Sequence, residues 1–299
     1  MSYSPSECLR PPLSLEKRCQ VPTTLSRTTR FCIHPSEGVD RKPNKNNSYA
    51  SSPGPRGLAA WYETLVEVQG EPDPKSGYII GIDKIDKAVR QTVLEPLGRA
   101  LRGEDPRDLP ALVLDLASRT QDALQRPVSG FTLRVTPRHE LGWVNEHNGC
   151  MPKPGDTMST QELNLMIRIQ FEFAASHRLH CPEESDEWNR DAFGKCNNPA
   201  GHGHNYRVEV CVTPDLDENR HSKMTFEVVE AIVKREVIDR FDHRNLNEQC
   251  TEFEELNPSV ENITAVSRDL LMAPLAEAGG RLRELTVWET EKTSCTCRV

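Results

Sequence analysis

Cys196, His202 and His204 lie close together in one stretch, GKCNNPAGHGHNY (194–206). A thiol can act as nucleophile, base or metal ligand. Imidazoles can bind metal or carry protons. His202 and His204 are two residues apart, so on a strand they point to the same face. His177 closes an alternating run, LMIRIQFEFAASHRL (165–179), on the face that carries Ile167, Ile169, Phe171, Phe173 and Ala175. If these two strands pair, three imidazoles converge. Three histidines with a free fourth position are the donor set of a catalytic zinc site, whereas structural zinc is usually closed by four ligands. Gly201 and Gly203 would let backbone or substrate approach closely. His-x-His alone is also compatible with ordinary surface or core histidines.

Other residues with chemical potential are scattered further along. Cys196 neighbours Lys195 and the histidines, and electropositive surroundings lower a thiol pKa. An inert loop thiol and a fourth metal ligand are the alternatives. Asp242 and His243 follow a predicted helix in RFDHRNLN (240–247), where a histidine also suits the negative end of the helix dipole. Glu289 falls near the end of the last predicted strand. Glu261 falls in the first turn of a predicted helix, where a carboxylate suits the dipole.

The elements that must position these residues follow from hydrophobic period. Alternation predicts strands at 27–34, 61–70 and 130–137, and helical spacing predicts helices at 84–97 and 109–124. The same order returns as strands at 165–179 and 202–212, helices at 226–241 and 258–271, and a strand at 282–292. Residues 180–200 read as a loop. Offset by 144, KAVRQTVLEPLGR (87–99) lies over AIVKREVIDRFDH (231–243); offset by 142, LVEV (65–68) lies over RVEV (207–210). An internal duplication is expected. Each half would be an antiparallel sheet with two helices on one face, an α+β layer pair. The expected division is a disordered tail (1–24), a first unit (25–143), a linker (144–161) and a second unit (162–299). Under the two offsets His202 and His204 fall opposite Ala60 and Tyr62, and Asp242 and His243 opposite Gly98 and Arg99; near the final strand, Glu289 falls opposite Pro137. The first unit is therefore expected to keep the scaffold without the site.

Composition bounds the rest. The 299 residues carry a formal net charge of −8, yet residues 1–57 hold nine Lys/Arg against four Asp/Glu. An acidic body argues against non-specific nucleic-acid binding. No apolar run is long enough for a transmembrane helix, and the first residues lack the apolar stretch of a secretory signal. Ten cysteines without framework spacing suit free thiols in a reducing cytoplasm.

FAASHRL, GKCNNPAGHGHNY, FDHRNLN, PSVEN and VWET occur in the order found in the 6-pyruvoyltetrahydropterin synthase family, which residues 165–299 resemble. The resemblance implies the T-fold, in which subunits form a barrel around a tunnel with active sites between them. It implies His177, His202 and His204 as zinc ligands, Cys196 as general base, and Asp242 with His243 as its proton relay. Glu289 would anchor the pterin ring, and Glu261 lies in a second pterin-side motif. The implied substrate is 7,8-dihydroneopterin triphosphate, whose triphosphate Arg178 and Lys195 could meet. Two products fit the resemblance: 6-pyruvoyltetrahydropterin, and 6-carboxytetrahydropterin of the queuosine and deazapurine pathway, released with acetaldehyde. The spacing Cys-x5-His-x-His resembles the pyruvoyl type; many carboxy-type members have a shorter Cys-x3-His-x-His. A non-catalytic pterin- or zinc-binding module is the reading from another class, but such a module has no need of a proton relay. A homo-oligomer is expected, with three tandem chains standing in for six single units.

Overall fold

In the computed structural model, residues 23–34, 59–145 and 163–299 are described. Nearly all of the expected tail, residues 35–58 of the expected first unit and most of the expected linker lie outside them.

The first half runs β1 (Thr23–Ile33), β2 (Ala60–Gly70), α1 (Ile82–Thr92), α2 (Leu94–Leu101), α3 (Leu109–Leu124), β3 (Val128–Thr136) and β4 (His139–Val144). The second half runs β5 (Leu165–His177), α4 (Asp186–Phe193), β6 (His202–Pro214), α5 (Phe226–Val233), α6 (Asp239–Phe241), β7 (Arg244–Asn245), α7 (Leu246–Gln249), α8 (Val260–Glu277), β8 (Gly280–Thr290) and β9 (Thr293–Arg298). The fold is α+β, as expected. Each half has one long strand more than the sequence pattern predicted, and the second half also has the two-residue β7. β4 (HELGWV) and β9 (TSCTCR) follow tight turns and carry too few apolar residues to alternate visibly. The predicted helix at 84–97 is split, because Pro96 has no N–H for the Thr92 carbonyl. The expected loop at 180–200 contains α4, capped by Ser185, whose Oγ accepts from Trp188 N–H, with Asp186 and Glu187 in the first turn.

Eight long strands form one antiparallel sheet in the order β1-β2-β3-β4-β5-β6-β8-β9, and the short β7 adds to β5 in parallel. The halves meet where β4 pairs with β5, from Trp143 opposite Leu165 to His139 opposite Ile169. One face of the sheet is apolar and packs under the helices in a single core that includes Val66, Phe131, Leu165, Val208 and Leu285. Burying such side chains is the main source of stability. The opposite face is polar. Across it runs a row of ion pairs with one member from every long strand: Arg30–Glu63 at 2.6 Å, Glu63–Arg134 at 2.7 Å, Arg134–Glu140 at 2.9 Å, Glu140–Arg168 at 3.4 Å, Arg168–Glu209 at 2.6 Å, Arg168–Glu284 at 3.4 Å and Glu284–Arg298 at 2.9 Å. No described helix is long and apolar enough to cross a membrane.

Candidate active site

His177 is the last residue of β5 and His202 the first of β6, and the register sets them directly opposite each other. His204 follows on the same face, opposite Ala175. This is the face that continues into Tyr206 and Val208 of the core, so the imidazoles gather at the rim of the helix-covered side. One ring nitrogen from each lies within 4.8 Å of the others. His177 Nε2 is 3.1 Å from His202 Nε2. Two nitrogens on a tetrahedral ion at 2.0–2.1 Å would be about 3.4 Å apart, so little movement is needed to hold one.

The protonation pattern also suits a metal. The Pro258 carbonyl accepts a hydrogen bond from His177 Nδ1 at 2.7 Å. A carbonyl only accepts, so Nδ1 carries the proton and the lone pair of Nε2 faces the cluster. Burial lowers the pKa of His177 and of His204, which keeps both rings neutral, as ligands must be. His204 Nε2 and His202 Nδ1 are buried without a hydrogen-bond partner among the described residues. A buried nitrogen without a partner is costly unless a ligand meets it.

The connection into β6 depends on Gly201. Its φ is +69°, and a Cβ there would stand 3.1 Å from the His177 carbonyl oxygen. Glycine is needed for the tight entry that presents His202. A Cβ at Gly203 would meet the Ala175 carbonyl oxygen at 3.5 Å, ordinary contact, so no close backbone approach requires glycine there.

Glu289 and Cys196 complete this side. Glu289 shares its face of β8 with Leu285 and Val287, and its Oε1 lies 3.4 Å from His177 Nε2 and 3.7 Å from His204 Nε2. Cys196 sits in a single 3₁₀ turn after α4, held by Leu179 N–H donating to its carbonyl at 2.9 Å. Its surroundings differ from the expectation. Lys195 is exposed, and burial together with the Glu289 carboxylate pushes the thiol pKa up, not down. A divalent cation at the triad would act in the opposite sense. Tyr206, stacked on Phe173 at 4.9 Å, brings its hydroxyl 3.5 Å from His177 Nδ1. The sequence reading missed Tyr206, although it continues the i, i+2 series of His202 and His204. Pro258 was missed as well, since a backbone acceptor leaves no mark on sequence.

Asp242 and His243 stand apart. Asp242 Oδ1 accepts from Ala174 N–H at 2.9 Å, and His243 N–H donates to the Ala174 carbonyl at 2.6 Å, which clips the pair to β5 just before β7. Asp242 Oδ2 holds His243 Nδ1 at 2.9 Å. The His243 imidazole is 82% exposed and lines a groove on the helix-free face with Glu172, Ala174, Asn205, Arg207 and Trp288. The chain thus gathers the triad, Glu289 and Cys196 on one side of the sheet and the Asp–His pair on the other. Glu261 is exposed in the first turn of α8, three residues after the carbonyl that holds His177.

The first half fills the equivalent positions with apolar groups. Ile33 pairs with Ala60 where His177 pairs with His202, and Tyr62 stands for His204. Leu65 pairs with Thr132 as Arg207 pairs with Trp288, so Leu133, fully buried, stands for Glu289. Matching the final strands along the sequence pointed to Pro137 instead; differing loop and helix lengths shift the register. Among the described residues the His177–His202–His204 group is the one cluster able to hold a metal.

A family model described as 6-pyruvoyl tetrahydropterin synthase matches residues 166–299. The 6-pyruvoyl tetrahydrobiopterin synthase of Poecilia reticulata is 33% identical over 132 residues, covering 44% of this chain and 88% of that protein. The chain belongs to the 6-pyruvoyl tetrahydropterin synthase family. The human 6-pyruvoyl tetrahydrobiopterin synthase is 35% identical over 125 residues, 42% of this chain and 85% of that one. The solved Caenorhabditis elegans 6-pyruvoyl tetrahydropterin synthase is 30% identical, covering 45% of this chain and 94% of that one with a TM-score of 0.42. These synthases are lyases, and the present chain is an enzyme of their family.

Proposed function

We propose that the second half is a zinc-dependent synthase. It would take 7,8-dihydroneopterin triphosphate, eliminate triphosphate and tautomerise the remainder to 6-pyruvoyltetrahydropterin. The observation that carries this reading is the convergent histidine triad, with His177 buried, two ring nitrogens left without a partner among the described residues, and a carboxylate and a thiol set against it. Three imidazoles suit zinc. A zinc ion there would polarise the side-chain oxygens of the substrate.

The protein's own residues then divide the work. Glu289 accepts from the amino and ring N–H groups of the pterin, two parallel bonds that fix its orientation. Glu261 supports the pterin side. Cys196 removes a carbon-bound proton, and His243, oriented by Asp242, passes protons on. The reducing equivalents move within the substrate, so no redox cofactor is needed. His243 faces away from its own triad, which favours a site completed by another chain in an oligomer of tandem units, three chains in place of six single units. Residues 25–143 act as a T-fold unit without catalytic residues, 144–161 as linker and 162–299 as the catalytic unit. A cytoplasmic setting suits the free thiols of Cys196 and Cys211.

The test is to incubate the zinc-loaded full chain with 7,8-dihydroneopterin triphosphate and identify products by mass. The pyruvoyl product supports the proposal. Acetaldehyde with 6-carboxytetrahydropterin would assign the other pathway, and no turnover would sink the enzyme reading. Cys196→Ala should keep its zinc and lose about 10²-fold or more in rate, as expected for a missing general base. Loss of zinc instead would make Cys196 a ligand.

A further inference from the structure

On the helix-free face, Arg30, Arg134, Arg168 and Arg298 of the charged row each meet a carboxylate. Arg207 does not. It stands on β6 between its direct cross-strand neighbours, Glu172 of β5 and Trp288 of β8. Its guanidinium carbon lies 4.3 Å from the Trp288 ring centroid. Its Nε is buried with no hydrogen-bond partner among the described residues. The nearby carboxylates are engaged elsewhere: Glu172 with Arg138 at 2.8 Å, and Asp242 with Ala174 N–H and His243. Glu291, at the rim, is exposed. The result is a cation held on an aromatic ring, with a donor unspent, in the groove that also contains His243. That groove measures about 580 Å³, which suits a small-molecule ligand.

We propose that Arg207 is the anion-binding residue of this groove and docks a phosphate group of the triphosphate tail of a substrate held at the triad of another chain in the oligomer. This rests on the reading of the second half as a synthase for a pterin triphosphate. A guanidinium offers a planar fork that matches phosphate oxygens two at a time. Stacking on Trp288 fixes its plane before the ligand arrives and shields it from water, so less order is lost on binding. The sequence reading suggested Arg178 and Lys195 for this role. Arg178 is already spent on Asn197 and His180, and Lys195 sits exposed on the turn beside Cys196. Arg207 escaped notice because it lies within a strand on the face away from the histidines.

The experiment compares the zinc-loaded full chain with Arg207→Ala and Arg207→Lys. KM and kcat would be measured for 7,8-dihydroneopterin triphosphate, and binding of inorganic tripolyphosphate by calorimetry. Arg207→Ala should raise KM about tenfold with kcat within about twofold, the pattern of lost ground-state binding. It should weaken tripolyphosphate binding by a similar factor and leave binding of 7,8-dihydroneopterin, which lacks the tail, unchanged. Arg207→Lys should recover part of both losses. A purely structural role would move the tail-less ligand as well and would overturn the proposal, as would unchanged KM and tripolyphosphate binding in Arg207→Ala. Should the wild-type chain show no turnover, the synthase reading fails, and tripolyphosphate still decides Arg207. Binding to wild type that is lost in Arg207→Ala upholds an anion site; equal binding, or none to wild type, overturns it.

Discussion

His177 uses both ring nitrogens: Nδ1 donates to the Pro258 carbonyl, and Nε2 turns to His202 and Glu289. Its tautomer is therefore set by the start of α8, far away in sequence. Asp242 is likewise committed on two sides, to Ala174 N–H and to His243. The Ala174 bond, more than the His243 contact, holds its carboxyl below the ordinary carboxylate range. A carboxylate whose pKa is lower folded than unfolded stabilises the fold above the unfolded value, about 3.9, and gives this up as pH falls through the folded one. Asp242→Asn should accordingly lower thermal stability at neutral pH and flatten its loss below about pH 4, so that the variant converges on the wild type in acid. An unchanged acid limb in melts across pH 5 to 2.5 would contradict the role of the Ala174 bond. Residue types and spacing made His177, His202, His204 and Cys196 legible in the sequence. Their surroundings were not: the charge beside Cys196 comes from Glu289, ninety-odd residues later, and no local window could show it.

Among the elements, the turn into β6 matters most to the site. Gly201 takes a positive φ against the His177 carbonyl, and the next residue is His202. Gly201→Ala should cost about 1–2 kcal/mol, since the left-handed conformation penalises a Cβ. It should also weaken metal binding, because relief of the clash moves His202 away from His177. Equal stability and equal metal affinity in the variant would show that this turn does not position the ligand. Long apolar strands and capped helices were readable because their period is set by burial: β5 alternates over its whole length, and α8 follows its N-cap Ser259, whose side chain accepts from Asn262 N–H. β4 and β9 were not readable. Their place is fixed by the strands they complete, β5 for the one and β8 for the other, and not by their own composition.

At the scale of the whole molecule, two like halves share one sheet and one row of ion pairs, with Arg168 joining Glu140 of the first half to Glu209 and Glu284 of the second. Exposed pairs contribute little singly, but a connected row constrains register. β1 and β9 stand at the ends of this sheet, each with one edge unpaired by the described strands. The proposed assembly covers those edges, as exposed strand edges require. Native mass measurement should give an oligomer, three chains on the proposed scheme; a stable monomer with full activity would rule the scheme out. The duplication was legible from helix and strand offsets, whereas the exchange of Glu289 for Leu133 needed the pairing register. The molecule is asymmetric: among the described residues, one cluster able to hold a metal stands on a doubled scaffold. Metal analysis of the purified full chain tests it most directly. One zinc per chain is predicted, lost on replacing His177, His202 or His204 by alanine. Two ions per chain, or one that survives all three replacements, would contradict it.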